Sequence, residues 1–465
     1  MSSTFFGLNM AYSGLAAQRR AMDILGYNIA HANDPTYKRQ RLVLVEGTVL
    51  AQSQEATSLN VSPFGTGVAT GDVERIRDML VENRMRVATQ TMSDWQYRSQ
   101  VMKQLESTMG EPSDSGLQTD LDNFWASWEK VATSPESLPI RSTLLEDASA
   151  LCQRVQYEYS QMKNMVDDLN LTVVDGVQRI NLMGEEIARL NNEIGALGSG
   201  QVQVNDLENR RDALVVELSK LVAASQHGEG TESWVISIGG RVLVQGSKFN
   251  PLECEMVAGG RRAVQWASDG EEVLNTGGEL KAMVDLRDAA VPSYLSQLDQ
   301  IASTLVERVN TVHRTGKTVS GADGGDFFRA GTTAANISLD DNIVNHPDLV
   351  AASASGAIGD GETARDIAAV KDVKITNGMT INQLYRALVG DIGGAAAIAD
   401  RQAAAHRLSL DQFTTQQQSI SGVSLDEEMT NMIKFQQAFN AAARMITVMD
   451  EMLGVMIEKT GTVGR

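Results

Sequence analysis

The sequence has few cysteines, prolines, aromatic residues and cationic side chains for its 465 residues. Two cysteines, Cys152 and Cys254, cannot supply a disulfide framework or a zinc site by themselves, and two reduced thiols are favoured over a single bridge. Aromatic residues make up only 5% of the chain and prolines number eight, which favours helices over an all-β sandwich. Lys and Arg number 40 against 59 Asp and Glu, and the net charge of −19 argues against binding to nucleic acid or to an anionic membrane.

Long apolar runs and familiar catalytic patterns are also missing. No run of about eighteen apolar residues occurs and the N-terminal segment is interrupted by arginines, so we expect neither a transmembrane helix nor a cleaved signal peptide. The patterns HExxH, GxSxG, CxxC and the phosphate-binding Walker loop do not occur. The five histidines are scattered, without ligand-type partners at metal-binding spacing. We therefore expect no catalytic residue, no cofactor and no metal site, and a protein that is not an enzyme.

What the sequence does have is a heptad repeat of apolar residues at each end. The first helix, predicted from about residue 4 to 32, carries apolar residues at heptad positions: Leu8, Leu15, Met22, Leu25 and Ile29. The last segment carries two interleaved series: Met432, Phe435, Phe439, Ile446, Met449, Leu453 and Met456. Each helix could pack on the body of its own domain. The period at both ends instead favours a coiled coil between them, and these twelve residues are the predicted assembly interface.

Long helices and one short β segment are predicted between the two ends. An apolar seam of nearly six heptads runs from Tyr159 to Leu197, and further helical segments are predicted at 75–109, 117–132, 203–224 and 380–421. In SWVISIGGRVLVQG, two alternating stretches flank Gly239 and Gly240, which predicts a β-hairpin. Residues 317–378 are rich in Gly, Ala, Asp and Ser and are predicted to form solvent-facing loops.

These patterns together predict a mainly α fold with a smaller β part. The chain is expected to be elongated and multi-domain, with a long-helix bundle as its body, a small inserted β unit, and N- and C-terminal helices paired in a coiled coil. The predicted domains are a terminal coiled-coil domain of 1–45 plus 422–465, a body of 46–230 plus 279–421 with loops at 317–378, and a β unit of 231–278. Terminal helices of this kind can join identical subunits into rings or filaments.

Motifs at both ends resemble a known family. The segment from Ala11 to Gln40 resembles the N-terminal signature of bacterial flagellar axial proteins, the rod, hook and hook-associated family. His31 and Thr36 depart from that pattern. The C-terminal run from Ser419 to Ile457 resembles the hook-associated members, and interior segments at 65–68, 205–222, 274–288 and 326–328 agree with them. The matching motif residues are Asn28, Ala30, Asn33, Tyr37, Arg39, Gln40, Gly422, Leu425, Asp426 and Glu427.

The resemblance implies a structural flagellar subunit that forms the junction between hook and filament. Such a subunit would be exported through the flagellar type III pathway, lie outside the cell, and self-assemble through its terminal helices. The implied partners are further copies of the chain, the hook protein, a second junction protein with the filament subunits, and an export chaperone at the C-terminal helix. The alternatives are a hook-type or filament-type axial subunit, and a secreted hydrolase on an axial scaffold.

Overall fold

The computed structural model describes residues 6–47, 67–111, 116–198, 201–228, 234–273, 276–375 and 378–459. Predicted features at 1–5, 65–66, 231–233, 274–275 and 460–465 lie outside these ranges. The described ranges form ten α-helices: α1 Phe6–Ala30, α2 Met79–Met109, α3 Leu117–Thr133, α4 Leu138–Leu197, α5 Val202–Leu221, α6 Gly278–Asp285, α7 Val291–His313, α8 Glu362–Ala369, α9 Ile381–Ser421 and α10 Leu425–Lys459. The mainly α fold class and the predicted long helices are confirmed.

The strands are short and form three small antiparallel sheets within the described ranges. Their bounds are β1 Gln40–Glu46, β2 Val68–Arg75, β3 Ala224–His227, β4 Val235–Ile238, β5 Arg241–Gln245, β6 Lys248–Phe249, β7 Leu252–Met256 and β8 Arg262–Trp266. β1 pairs with β2, β3 to β6 form one sheet in chain order, and β7 pairs with β8. The predicted hairpin is confirmed as β4 and β5, with Gly239 and Gly240 at φ +58° and +86° in its turn.

The chain divides into two units, and their boundaries differ from the predicted domains. The first unit contains Met1–Thr89, Ile180–Pro251 and Arg407–Arg465, and the second contains Gln90–Arg179 and Leu252–His406. Both terminal helices therefore belong to a unit that also holds α5 and the β3–β6 sheet. The predicted β unit of 231–278 is split, because β7 and β8 belong to the second unit.

The second unit has a large apolar core, to which the predicted loop region contributes. Phe327 and Phe328 are fully buried, and the amide of Asn310 holds their backbone. Asn310 Oδ1 accepts hydrogen bonds from both phenylalanine N–H groups at 2.9 Å, and its Nδ2 donates to the Phe328 carbonyl at 2.7 Å. Residues 317–378 are thus not simply solvent-facing: besides loops they contain α8, and Ile337 and Val350 are also fully buried.

His313 is a buried structural residue of this core. Its Nδ1 lies 2.7 Å from the Gly325 carbonyl and its Nε2 accepts the Ala351 N–H at 2.8 Å. These partners fix the tautomer with the proton on Nδ1. Burial lowers the pKa of His313 from 6.5 to about 4, so the imidazole is neutral at pH 7. Both ring nitrogens are occupied by the backbone, which leaves neither for a ligand.

The described residues contain neither a cluster of metal ligands nor a membrane-spanning helix. In the part of the chain that the structure describes, no three His, Cys, Asp or Glu side chains are grouped as metal ligands would be. No helix in those ranges is long and apolar enough to cross a membrane.

Candidate assembly site

The two terminal helices pack against each other in antiparallel orientation. Near the start of α1, a Cβ atom placed on Gly7 would lie only 2.6 Å from Cε of Met449 on α10. At the other end of the pair, Nδ2 of Asn28 lies 2.9 Å from Oε2 of Glu428. Increasing numbers on α1 therefore meet decreasing numbers on α10. The termini pair as the heptads indicate, and they do so with opposite chain directions.

The predicted interface residues lie along this helix pair at different depths. Leu25 is buried and Met456 is 49% exposed. The other ten are half-buried: Leu8, Leu15, Met22, Ile29, Met432, Phe435, Phe439, Ile446, Met449 and Leu453. The most deeply buried residues of α1 are others, the last four of them spaced by three and four residues: Ala11, Ala17, Ala21, Ile24 and Asn28. The heptad rule found the correct helices but not the deepest face of α1.

A buried asparagine joins the two chain ends. Asn28 is fully buried, and its Nδ2 donates to the Gln40 carbonyl and to Glu428 Oε2, both at 2.9 Å. Its Oδ1 accepts the Tyr37 hydroxyl at 2.7 Å and the Gln40 N–H at 3.0 Å. All four hydrogen-bonding positions of the amide are therefore used. No other side chain offers two donors and two acceptors in this shape, so the site requires asparagine.

Arg39 supplies the positive charge of the same cluster. Its Nη1 lies 2.7 Å from Glu427 Oε2, and its Nε lies 2.7 Å from Glu428 Oε1. Glu428 is fully buried while Glu427 is exposed, so the contact with Glu428 is the one that is shielded from water. The Arg39 backbone also donates to the Ser421 carbonyl at 2.9 Å. We call Asn28, Tyr37, Arg39, Gln40, Glu427 and Glu428 the terminal junction.

An aromatic stack closes one side of the terminal junction. The His31 ring lies parallel to the Tyr37 ring, with centroids 4.9 Å apart, and 4.3 Å from the Tyr27 centroid. Tyr27 donates a hydrogen bond to Asp206 of α5. Burial, followed by this carboxylate, raises the pKa of Tyr27 to about 12. His31, which departs from the family pattern, therefore has a packing role, and the phenol stays protonated as the donor.

Five of the predicted motif residues lie outside the terminal junction, and one of them, Gly422, is half-buried in the turn before α10. Ala30, Asn33, Leu425 and Asp426 are exposed. Asn33 lines a polar cleft of about 430 Å³ between residues 32–39 and 417–427. Glu428 is the junction residue that was not among the predicted sites. Its burial depends on the rotation of α10 about its axis, which the acidic run alone does not reveal.

Gly422 shapes the turn between α9 and α10. Its N–H donates to the Gln418 carbonyl at 2.9 Å, and a Cβ atom there would lie 2.3 Å from that same oxygen. Ser424 precedes α10, and its carbonyl accepts the Glu428 N–H at 2.9 Å. This turn sets the rotation of α10 about its axis. The rotation in turn decides which carboxylate in the first turn of α10 faces Arg39.

Replacing Gly422 with alanine is expected to lower the free energy of unfolding by about 1–3 kcal/mol, because the added methyl group must displace backbone. Urea titration with hydrogen exchange across residues 417–428 would measure this loss. Gly454→Ala in α10 is the matched control, since nothing lies within 4 Å of its added Cβ. That change should stabilise the helix by up to about 1 kcal/mol. Equal effects at both positions would contradict the steric role of Gly422.

Comparison with known proteins identifies the family. Residues 102–328 match the model of the flagellar hook-associated protein FlgK helical domain, and residues 416–458 match that of the flagellar basal body rod FlgEFG protein C-terminal region. The chain is 25% identical to flagellar hook-associated protein 1 of Escherichia coli, over 97% of this chain and 99% of that protein.

Two further comparisons, one of structure and one of sequence, support the fold and the family respectively. The solved structure of the flagellar hook junction protein FlgK from Burkholderia pseudomallei matches 73% of this chain with a TM-score of 0.65 and 16% identity, and all of that chain is covered. This match supports the fold. Flagellar hook-associated protein 1 of Bacillus subtilis is 30% identical over 514 aligned residues, which cover both chains completely. The chain therefore belongs to the flagellar hook-associated protein 1 family, whose members are structural components of the flagellum.

Proposed function

We propose that this chain forms the junction between hook and filament by self-assembly through α1 and α10. The observation that carries the proposal is that α10 has two apolar faces, of which only one packs on α1. Its outward face carries apolar residues at a spacing of three, four and three residues, each 48–58% exposed: Met445, Val448, Met452 and Val455. A contiguous exposed apolar face marks an interaction surface.

The spacing of this outward face is that of a second helix–helix seam. Residues three and four apart lie on one side of a helix, so the four side chains form a stripe. We define Met445, Val448, Met452 and Val455 as the outward stripe. In an assembly of identical subunits, the outward stripe would pack on a terminal helix of a neighbouring copy. The terminal junction would then fix the orientation of the α1–α10 pair within each subunit.

The proposal extends to partners and place. The hook protein would lie on one side of the assembled subunits, and a second junction protein with the filament subunits on the other. An export chaperone would cover α10 before assembly, and the finished structure would lie outside the cell after type III export. We also propose that residues 1–45 and 422–465 form the inner, assembling part, and that the body and the β segments face outward.

The aspartate substitutions Phe439→Asp and Ile446→Asp are expected to abolish incorporation at the hook tip. Both side chains are half-buried in the α1–α10 pair, where a charge would lose its water without gaining a partner. Electron microscopy should show hooks without filaments, while immunoblots of the culture medium should still detect the exported chain. Secretion must be measured, because a variant that is not exported would also leave hooks bare.

Asn440→Asp is the matched control, since Asn440 follows Phe439 directly but is exposed. It adds the same charge to the same helix and should leave filaments normal. Normal filaments in the Phe439→Asp or Ile446→Asp strain would contradict the proposal. Fluorescent labelling of the chain separates this function from that of a filament-type subunit: one spot per flagellum is expected, against label along the whole filament.

A further inference from the structure

Methionine is concentrated in α10. The 35 residues of this helix hold six of the chain's 20 methionines. Met432 and Met449 are half-buried against α1, whereas four others are 49–58% exposed: Met429, Met445, Met452 and Met456. Elsewhere in the described residues, exposed methionines are isolated from one another, as Met10, Met79 and Met256 are.

Two of these methionines lie in the outward stripe. Met445 and Met452 are seven residues apart, so they lie on the same side of α10, with Val448 between them and Val455 after them. They are 52% and 58% exposed. A thioether packs as an adaptable apolar group, but it can also be oxidised. Valine and leucine offer the same apolar character without that reactivity.

We propose that Met445 and Met452 form a peroxide-sensitive modification site, and that their oxidation prevents the free subunit from assembling. A hydroperoxide transfers one oxygen atom to the Sδ of each residue: the O–O bond breaks, an S–O bond forms, and water or an alcohol leaves. The sulfur is oxidised by two electrons and the peroxide is reduced by two. The inference rests on the proposed function, because it takes the outward stripe to be the contact with a neighbouring copy.

The consequence follows from what the sulfoxide does to the stripe. It adds a polar oxygen and a fixed chirality to a flexible apolar side chain. In a helix–helix seam that oxygen would be buried without a hydrogen-bond donor, which opposes packing. Oxidation should therefore act on the step in which subunits meet, and should leave the α1–α10 pair within each subunit intact.

The position of each methionine gives the order of oxidation. Met445 and Met452 should react first, because both residues are more than half exposed. Met449 lies over Gly7 of α1, where its Cε is 2.6 Å from a Cβ placed on that glycine, and should react more slowly. Met162 is fully buried in the second unit and serves as an internal reference for unreactive methionine.

The test uses purified full-length protein treated with hydrogen peroxide. Peptide mass spectrometry should show oxidation of Met445 and Met452 at least tenfold faster than that of Met449. Treated and untreated protein are then added to isolated hook–basal bodies from a strain that lacks the chain, and bound subunits are counted by immunogold labelling. Oxidation should reduce binding at least tenfold. Treatment with methionine sulfoxide reductases and a dithiol reductant should restore it.

The double variant Met445→Leu/Met452→Leu is the control for damage elsewhere. It keeps the stripe apolar, so untreated it should bind like the natural chain, and peroxide should leave its binding unchanged. Equal loss of binding in this variant would overturn the proposal, as would equal oxidation rates at Met445, Met452 and Met449. Untreated Met445→Asp separates the two hypotheses. If Met445→Asp binds normally, the proposed role of the outward stripe fails. If Met445→Asp fails to bind but the oxidised natural chain binds normally, only the oxidation proposal fails.

Discussion

Replacing Arg39 with leucine is expected to lower the free energy of unfolding of the first unit by about 3–5 kcal/mol, because it leaves a buried carboxylate without its cation. Glu428 is fully buried, and the Arg39 guanidinium lies 2.7 Å from it. Glu428 also accepts a hydrogen bond from the Asn28 amide, which carries no charge. Hydrogen exchange should show the loss, since the amides of α1 and α10 would exchange faster while those of α3 and α7 in the second unit would not.

Arg41→Leu provides the matched control in the neighbouring strand. Arg41 pairs with Glu74 at 3.6 Å, and both side chains are more than half exposed, so this pair contributes at most about 1 kcal/mol. A double variant, Arg39→Leu/Glu428→Leu, removes both charges and should recover part of the loss. If Arg39→Leu and Arg41→Leu lower the free energy of unfolding by similar amounts, the loss in Arg39→Leu does not come from the unpaired charge of Glu428. No recovery in the double variant would point to a packing role for Arg39.

How far the terminal pair could be predicted depends on what heptads encode. The repeats predicted both helices, because apolar residues spaced by three and four fall on one side of a helix. They placed the α1 seam along Leu8, Leu15 and Met22, whereas the deepest residues include Ala17, Ala21 and Ile24. The reason is that α1 packs on β1 and β2 as well as on α10. The heptad rule assumes one partner helix, and here small side chains fill the space between two neighbours.

The terminal junction shows a different limit. Motif matching found Asn28, Arg39 and Glu427 individually, but it did not indicate that residues 400 positions apart are hydrogen-bonded. A buried asparagine with four hydrogen bonds has no local signature, because its three partner residues come from β1, the segment before it and α10. Neither could the sequence choose among the carboxylates at 426–428, whose burial differs with the phase of α10.

The middle of the chain was harder to predict because its signals are local. Alternation predicted β strands in 231–278 correctly, but it does not specify which sheet a strand joins, and β7–β8 belongs to the second unit. Residues 317–378 lack a repeating apolar pattern, so they suggested exposed loops. Their buried side chains instead come singly, in pairs or in one short run at 350–353, and polar groups such as Asn310 and His313 hold that irregular backbone in place.

A buried carboxyl of the second unit should make this part of the protein less stable as pH rises. Glu158 on α4 is 1% exposed, and the Tyr385 hydroxyl donates to its Oε1 at 3.1 Å. Burial raises the pKa of Glu158 from 4.5 to about 8, and the nearby Glu111 also raises it. The group is therefore protonated in the folded protein at pH 7. It becomes charged on unfolding, so unfolding releases a proton.

The sign of the pH dependence follows from this difference. Below pH 4.5 Glu158 is protonated in both the folded and the unfolded state, so it does not make the free energy of unfolding depend on pH. Between pH 4.5 and about 8 only the folded state holds the proton. Stability contributed by this group is therefore lost as pH rises through that window, by roughly 3–5 kcal/mol in total. Glu158→Gln removes the titration and should stabilise the second unit relative to the natural chain, increasingly so up to pH 8.

Urea titrations of both proteins from pH 4.5 to 8.5 would measure the difference, with hydrogen exchange in α3 and α7 as the local reading. Groups that titrate alike in both proteins cancel when the two curves are subtracted. Glu146→Gln on the same helix is the matched control, since that side chain is exposed and its variant should follow the natural chain at every pH. A Glu158→Gln curve parallel to the natural one would show that Glu158 is already ionised in the folded state, and that water reaches it between α4 and Tyr385.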